Sequence, residues 1–165
     1  MSAGAAGAPA PGPVGLVLTA GSVLRADDAA GPVLSRRLED EPLPGWVTFD
    51  GGLTPEDEIG AVKRLAPARL VLVDAADMAL EPGAVRRLTK ADVARNSMFT
   101  THSLPLTILI EELENVCGDI AFIGIQPGTT EFFGPMTPAV TEAVDAVYRA
   151  LASGGDLTVF EALHE

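Results

Sequence analysis

The sequence contains few of the residues that would tie it to an oxidising compartment or to nucleic acid. Its single cysteine, Cys117, cannot form an internal disulfide or a cysteine-only metal site. Only 11 of the 165 residues are lysine or arginine, against 23 aspartates and glutamates, so the net charge is −12. The longest basic runs are the pairs Arg36-Arg37 and Arg86-Arg87, whereas nucleic-acid binding needs clustered basic side chains. We therefore expect no nucleic-acid partner and a reducing compartment.

Long apolar runs are also missing. No run approaches the roughly 20 residues that are needed to cross a bilayer. The first 13 residues are uncharged and interrupted by prolines, unlike a secretory signal with a basic start and an apolar block. We predict that residues 1–13 form a flexible tail. We expect a soluble, cytoplasmic monomer that does not bind membranes.

Short apolar runs that alternate with helical patterns are abundant, and 47% of the residues are hydrophobic. Runs rich in β-branched and aliphatic residues predict strands, and apolar side chains spaced three or four apart predict helices. The predicted strands are residues 14–20, 46–49, 69–73, 84–88 and 120–125. The predicted helices are residues 30–38, 55–65, 106–117 and 138–151.

This alternation predicts an α/β protein with one three-layer α/β/α sandwich around a twisted, mostly parallel central sheet. The domain is expected to cover residues 14–155, followed by a C-terminal tail at residues 156–165. The strand at 84–88 is expected to be peripheral because it contains two adjacent arginines. Asp27 or Asp28 is expected to cap the first helix.

Three polar residues are predicted to meet at one edge of the sheet. Asp28 follows the first strand and its loop, Asp74 ends the central strand, and His102 lies in the loop before a helix. In open α/β sheets, ligands bind beyond the carboxyl ends of the strands. Two carboxylates and one imidazole would form a three-ligand site with open positions, suited to nickel, zinc or iron.

Each of these residues also has a simpler structural explanation. Asp28 can cap a helix, and Asp74 can satisfy the amides of a turn. His102 can be a solvated loop histidine. Because the three residues are far apart in sequence, spacing alone does not decide between these roles and metal binding.

Other reactive residues fit poorly with known catalytic motifs. Cys117 lies on the apolar face of a predicted helix and is interpreted as a buried structural thiol. Phe132 and Phe133 are interpreted either as core residues or as the lining of a cleft. A Ser/His/Asp triad that uses Ser22 or Ser103 has no local sequence support, since a G-x-S-x-G motif is absent.

Five segments form a distinctive combination between residues 14 and 151. They are Gly21 followed by DDAAGP at 27–32, DGG at 50–52, LVDAADM at 72–78, MFTTHSLPL at 98–106, and GIQPG with FFGPMT between 124 and 137. Together they resemble the hydrogenase maturation endopeptidases, and more closely the branch that processes the hydrogenase of formate hydrogenlyase.

The resemblance implies an activity and a site. In that family, metal is bound at positions that correspond to Asp28, Asp74 and His102, and Asp77 is expected to support these ligands. The implied function is a metal-dependent endopeptidase that removes the C-terminal extension of a nickel-loaded nickel–iron hydrogenase large-subunit precursor. Nickel is expected to arrive with the precursor, and other divalent metals are expected to be able to occupy the site. Catalysis by the three residues would act through the metal.

The sequence departs from the family pattern in the loop before Asp28. The family usually has Gly-Asn where this chain has Gly21-Ser22, and often has glycine where this chain has Ala26 and Ala29. We expect a stiffer or differently shaped loop. Two alternatives stay open: a non-catalytic module that senses nickel occupancy in a hydrogenase precursor, and a nucleotide-binding α/β domain, although the loops lack phosphate-cradling glycines.

Overall fold

The structure is a computed structural model that describes residues 14–95 and 105–164. These residues form a five-stranded sheet between two layers of helices, as the alternation predicts. The strands are β1 (Gly15–Thr19), β2 (Trp46–Asp50), β3 (Arg69–Ala75), β4 (Val85–Leu88) and β5 (Ile120–Ile125). The helices are α1 (Ala30–Asp40), α2 (Ile59–Leu65), α3 (Lys90–Arg95), α4 (Leu106–Glu114) and α5 (Pro138–Ala152). The predicted tail at 1–13 and the predicted site residue His102 lie outside the described residues.

The strand order is β2-β1-β3-β5-β4, and every pairing is parallel except that of β4 with β5. The chain leaves β1 through α1 to reach β2 on one side, and then returns through α2 to β3 on the other side. The strand order therefore reverses at β1. The strand that contains Arg86 and Arg87 lies at the edge of the sheet, as predicted.

Both faces of the central strands are buried, which explains why their sequences are continuously apolar. Leu70 and Leu72 of β3 belong to one core cluster with residues of α2 and α4. Val71 and Val73, which point to the opposite face, belong to a second cluster with residues of α1 and α5. Helix α1 approaches the sheet closely, since a Cβ atom on Gly31 would lie 2.3 Å from the Ala20 carbonyl oxygen.

Two helical segments differ from the prediction. Helix α3 was not predicted, because it is short and Val93 is its main buried apolar side chain. Reciprocal bonds begin it: the Thr89 amide donates to Asp92 Oδ2 at 2.8 Å, and the Asp92 amide donates to Thr89 Oγ1 at 3.1 Å. Helix α4 ends at Glu114 rather than at Cys117. Cys117 is nevertheless buried in the core, which confirms its interpretation as a structural thiol.

The segment after α5, assigned to a tail from the sequence, contacts the sheet. It contains a short 3₁₀ turn at Leu157–Val159, and the Leu157 side chain is buried. The Arg87 amide donates to the Glu161 carbonyl at 2.9 Å, and the Leu163 amide donates to the Arg87 carbonyl at 2.9 Å. These bonds cover part of the outer edge of β4. No helix in the described ranges has the length and apolar character needed to cross a membrane.

The packing of α4 can be tested with two adjacent leucine and isoleucine positions. Leu109 is buried, so Leu109→Ala should lower the free energy of unfolding by about 2 to 4 kcal/mol through lost burial and a cavity. Ile108 on the same helix is exposed, so Ile108→Ala should change it by no more than about 0.5 kcal/mol. Chemical denaturation of the two variants would measure both values. Equal effects would mean that the buried face of α4 is assigned wrongly.

Candidate active site

The candidate site lies where the strand order reverses. Asp28 follows β1 through a short loop, and Asp74 is the penultimate residue of β3, the neighbour of β1. The 3₁₀ turn at Ala26–Ala29, which contains Asp28, contacts β3. The structure therefore places both aspartates at the carboxyl edge of two adjacent parallel strands, which is the usual position of a ligand site in such sheets.

The loop after β1 wraps around Asp28. Oδ2 of Asp28 accepts a hydrogen bond from the Ser22 amide at 2.9 Å, and Ser22 Oγ accepts one from the Leu24 amide at 3.2 Å. Gly21 is needed here for two reasons: its φ is +137°, and a Cβ atom would lie 2.1 Å from the Asp28 carbonyl oxygen. The carboxylate is thus buried and oriented by its own loop.

The predicted capping role of Asp27 or Asp28 is wrong. Among the described residues, no side chain caps the 3₁₀ turn at Ala26–Ala29 or helix α1 through a hydrogen bond. The reason is that both carboxylates are engaged elsewhere. Asp28 bonds back to the loop that precedes it, and Asp27 bonds to a distant segment.

Asp27 connects this turn to the loop between β5 and α5. Its fully buried carboxylate accepts the amides of Gly128 at 2.8 Å, Thr129 at 3.1 Å and Thr137 at 2.7 Å, and also the Thr137 hydroxyl at 2.9 Å. Burial raises the pKa of Asp27, but the hydrogen bonds from Thr137, Gly128 and Thr129 outweigh it, so the net pKa is lowered. The adjacent acids Asp27 and Asp28 were the sequence signal for this role. Only Asp28 was assigned to the site from the sequence.

The segment after Asp74 is held by Gln126. The buried Gln126 side chain accepts the amides of Met78 at 2.6 Å and Leu80 at 3.3 Å, and donates to Asp77 Oδ1 at 3.2 Å. Sequence reasoning missed Gln126, although an amide that follows an apolar strand must find partners when it is buried. Asp77 is exposed and makes a local bond to the Ala79 amide at 3.1 Å.

The donor chemistry of the two aspartates suits a divalent metal, because carboxylate oxygens are common ligands of such ions. Within residues 14–95 and 105–164, no group of three or more histidine, cysteine, aspartate or glutamate side chains is arranged to hold a metal. The predicted third ligand, His102, lies outside that part of the chain.

The Phe132 and Phe133 side chains lie on the surface, so their interpretation as core residues is wrong. They belong to the loop that Asp27 anchors. The loop has no regular secondary structure, and Arg25 from the loop after β1 stacks on the Phe132 ring.

Comparison with known proteins decides the family. The HycI hydrogenase maturation protease family model matches residues 32–153. The hydrogenase 3 maturation protease of Escherichia coli strain K12 is 42% identical over 136 residues, covering 82% of this chain and 87% of that protein. The chain belongs to the hydrogenase maturation protease family.

Solved structures agree with the fold of this hydrogenase maturation protease. The crystal structure of a hydrogenase 3 maturation protease has a TM-score of 0.87 and 38% identity, covering 94% of this chain and 100% of that one. A maturation protease HycI from Thermococcus kodakarensis has a TM-score of 0.74 and 27% identity, covering 87% and 93%. The chain is accordingly an endopeptidase of hydrogenase maturation, and this assignment replaces the nucleotide-binding alternative.

The Asp27 anchor should make a large and pH-dependent contribution to stability. Asp27→Asn places an amide group against backbone donors, so we expect a loss of at least about 2 kcal/mol in the free energy of unfolding at pH 7. Because the folded pKa lies below the ordinary value of 3.8, the contribution is complete above that value and is lost as the pH falls through the folded pKa. The difference between the two proteins should therefore shrink in acid.

A matched control for this charge change is Asp40→Asn, at an exposed position that pairs with Arg36. It should alter the free energy of unfolding by no more than about 0.5 kcal/mol. Urea denaturation from pH 7 down to the acid limit would compare the two variants. A pH-independent loss in Asp27→Asn would contradict the assignment of an ionised, hydrogen-bonded carboxylate.

Proposed function

We propose that this endopeptidase removes the C-terminal extension of a nickel-loaded nickel–iron hydrogenase large-subunit precursor, and that Asp28, Asp74 and His102 bind the nickel. The observation that carries the proposal is the position of two buried aspartates at the strand-order reversal of a hydrogenase maturation protease. Carboxylate oxygens are common ligands of divalent metals, and ligands bind at this edge of open α/β sheets. A divalent cation carried by the substrate fits that chemistry.

The position of α4 supports His102 as the third ligand. Helix α4 leads into β5 through residues 115–119, and the Asp119 carbonyl accepts the Leu70 amide at the start of β3. The helix therefore ends at the amino edge of the sheet, and its first turn lies towards the opposite, carboxyl edge. Only two residues lie between His102 and Pro105, so three steps along the chain separate them, a span of at most about 11 Å. This short connection supports the choice of His102 as the third ligand.

The proposed ligands combine two oxygens with one imidazole nitrogen, a set that suits nickel and other borderline divalent ions and leaves positions open. Bound nickel would polarise the scissile carbonyl group or lower the pKa of a water molecule that attacks it. Asp28 and Asp74 hold the metal-bearing end of the precursor. The amide of Ser22 fixes the orientation of the Asp28 carboxylate, and Gln126 fixes the segment that follows Asp74.

In this proposal the metal also selects the substrate, because a precursor without nickel lacks the group that the three ligands bind. Mass spectrometry of purified precursor, loaded with nickel or left empty, would test this. We expect the C-terminal extension to be released only from the loaded form. Release at equal rates from both forms would contradict recognition through nickel.

The sharpest test of the ligand set is His102→Ala, which removes the only proposed nitrogen ligand. Loss of a ligand should cost no less than loss of its supporting residues, so cleavage of nickel-loaded precursor should fall at least about 10-fold. Asp28→Ala and Asp74→Ala should also lower it. The free energy of unfolding of His102→Ala should change by no more than about 0.5 kcal/mol, as at ordinary loop positions.

The second of the two histidines provides a matched control. His164 is exposed, and its Nδ1 lies 2.7 Å from Asp92 Oδ1, so His164→Ala removes an imidazole that is not among the proposed ligands. It should retain the cleavage rate. If His102→Ala folds and still cleaves the precursor at close to the original rate, the three-ligand site is wrong. If the unaltered protein binds the precursor but leaves its mass unchanged, the chain senses nickel without cutting.

A further inference from the structure

Two loops beside the candidate site expose four large apolar side chains. Val23 and Leu24 come from the loop after β1, and Phe132 and Phe133 come from the loop between β5 and α5. Phe132 is 64% exposed and Phe133 is 83% exposed. We call these four residues the apolar rim. Exposed apolar side chains that are grouped in this way mark interaction sites more often than isolated ones do.

The two halves of the rim are fastened to each other. The Phe133 amide donates to the Leu24 carbonyl at 2.7 Å, and Arg25 Nε donates to the Thr130 carbonyl at 3.1 Å. The Arg25 guanidinium lies 4.8 Å from the centre of the Phe132 ring. These contacts add to the Asp27 anchor on the same loop. The rim is therefore presented in a defined geometry, which lowers the entropic cost of binding.

The backbone conformation of Phe133 costs free energy that binding of a partner protein could offset. Its φ is +61°, in the left-handed region, where a residue other than glycine loses roughly 1 to 2 kcal/mol. The side chain that this conformation presents is mostly exposed, so the free chain recovers little of that cost through burial. Strain of this kind persists where the surrounding structure enforces it, and it is common at binding sites.

The charge of the rim identifies the kind of segment that fits it. The two loops, residues 20–26 and 127–137, contain one positive residue, Arg25, and one negative residue, Glu131, whereas the whole chain has a net charge of −12. The rim is thus a neutral, apolar area on an acidic protein. An uncharged apolar segment fits it, and basic residues further along the same partner would face the acidic remainder.

We infer that the apolar rim binds an uncharged, apolar segment of the hydrogenase precursor, adjacent to the bond that is cleaved. This inference rests on the function proposed above. The rim is continuous with the candidate site, because Leu24 donates to Ser22, and Ser22 donates to Asp28. A segment on the rim is therefore next to the carboxylate that is proposed to bind nickel.

The test compares a Phe132→Ser/Phe133→Asn double variant with the unaltered protein. Asparagine tolerates the left-handed backbone at position 133, and both altered side chains are exposed, so the fold should be retained. Biolayer interferometry would give the Kd for purified nickel-loaded precursor, and mass spectrometry would give kcat/KM. We expect Kd to rise at least about 10-fold, since exposed aromatic anchors commonly dominate binding, and kcat/KM to fall by a similar factor.

Val159→Ser is the matched control, because Val159 is 66% exposed and lies in the 3₁₀ turn after α5, apart from the rim. It should leave both quantities within about twofold, the range of ordinary surface changes. A Val23→Ser/Leu24→Ser pair tests the other half of the rim and should also raise Kd. This second pair decides the question if the phenylalanine variant fails to fold.

The outcomes separate this inference from the proposed function. If the unaltered protein binds the precursor without cutting it, the proposed cleavage is wrong. The Kd values of the variants and the unaltered protein still show whether the rim binds the precursor. If the variants and the unaltered protein bind the precursor with equal Kd, the inferred role of the rim is wrong. Sedimentation that shows self-association through the rim, with unchanged precursor binding, also overturns it. Absence of any binding by the unaltered protein overturns both proposals.

Discussion

The carboxylate of Asp27 is buried at the junction of two parts of the chain that are about 100 residues apart in sequence. A charged group in such a position is stable only when donors surround it. Three backbone amides and a hydroxyl do so, and all of them come from the loop between β5 and α5. The same aspartate therefore determines where that loop runs and where α5 begins, because Thr137 immediately precedes the helix.

Several features of the candidate site follow from this one interaction. The turn that contains Asp27 also contains Asp28, so its position relative to β3 is fixed from both sides. Gln126 performs a comparable task on the other strand of the site by holding the segment after Asp74. The segments that contain the two aspartates at the sheet edge are thus held in place by the side chains of Asp27 and Gln126, which bond to backbone amides. Such support keeps ligand groups oriented.

The fold was largely predictable because it depends on apolar periodicity. The five strands and the helices at residues 30–38, 55–65, 106–117 and 138–151 follow from alternation of short apolar runs with helical spacing. Helix α3 was not predicted from the sequence, because a reciprocal cap of Thr89 and Asp92 stabilises it rather than a long apolar face. The Thr-x-x-Asp spacing of this cap is a local signal, but too few apolar residues follow it to show helical periodicity.

The candidate site was predictable in part. The positions of Asp28 and Asp74 at one sheet edge follow from chain order and strand direction. The adjacent acid pair marks Asp27 as a candidate, but the partners of Asp27 and Gln126 are 101 and 48 residues away, so no local pattern indicates what either side chain binds. The surface position of Phe132 and Phe133 also depends on distant residues, because Arg25 packs on the Phe132 ring and the Leu24 carbonyl accepts the Phe133 amide. His102 stays a prediction from the resemblance.

The segment that runs beside β4 has a practical consequence for producing the protein. Residues 161–163 exchange backbone hydrogen bonds with Arg87, and the Leu157 side chain of the same segment is buried in the core. A chain shortened after α5 would uncover the edge of β4 and leave a cavity where Leu157 packs. Exposed strand edges recruit further strands, so such a chain would tend to polymerise through its sheet. An affinity tag therefore belongs beyond residue 165, with the whole segment retained.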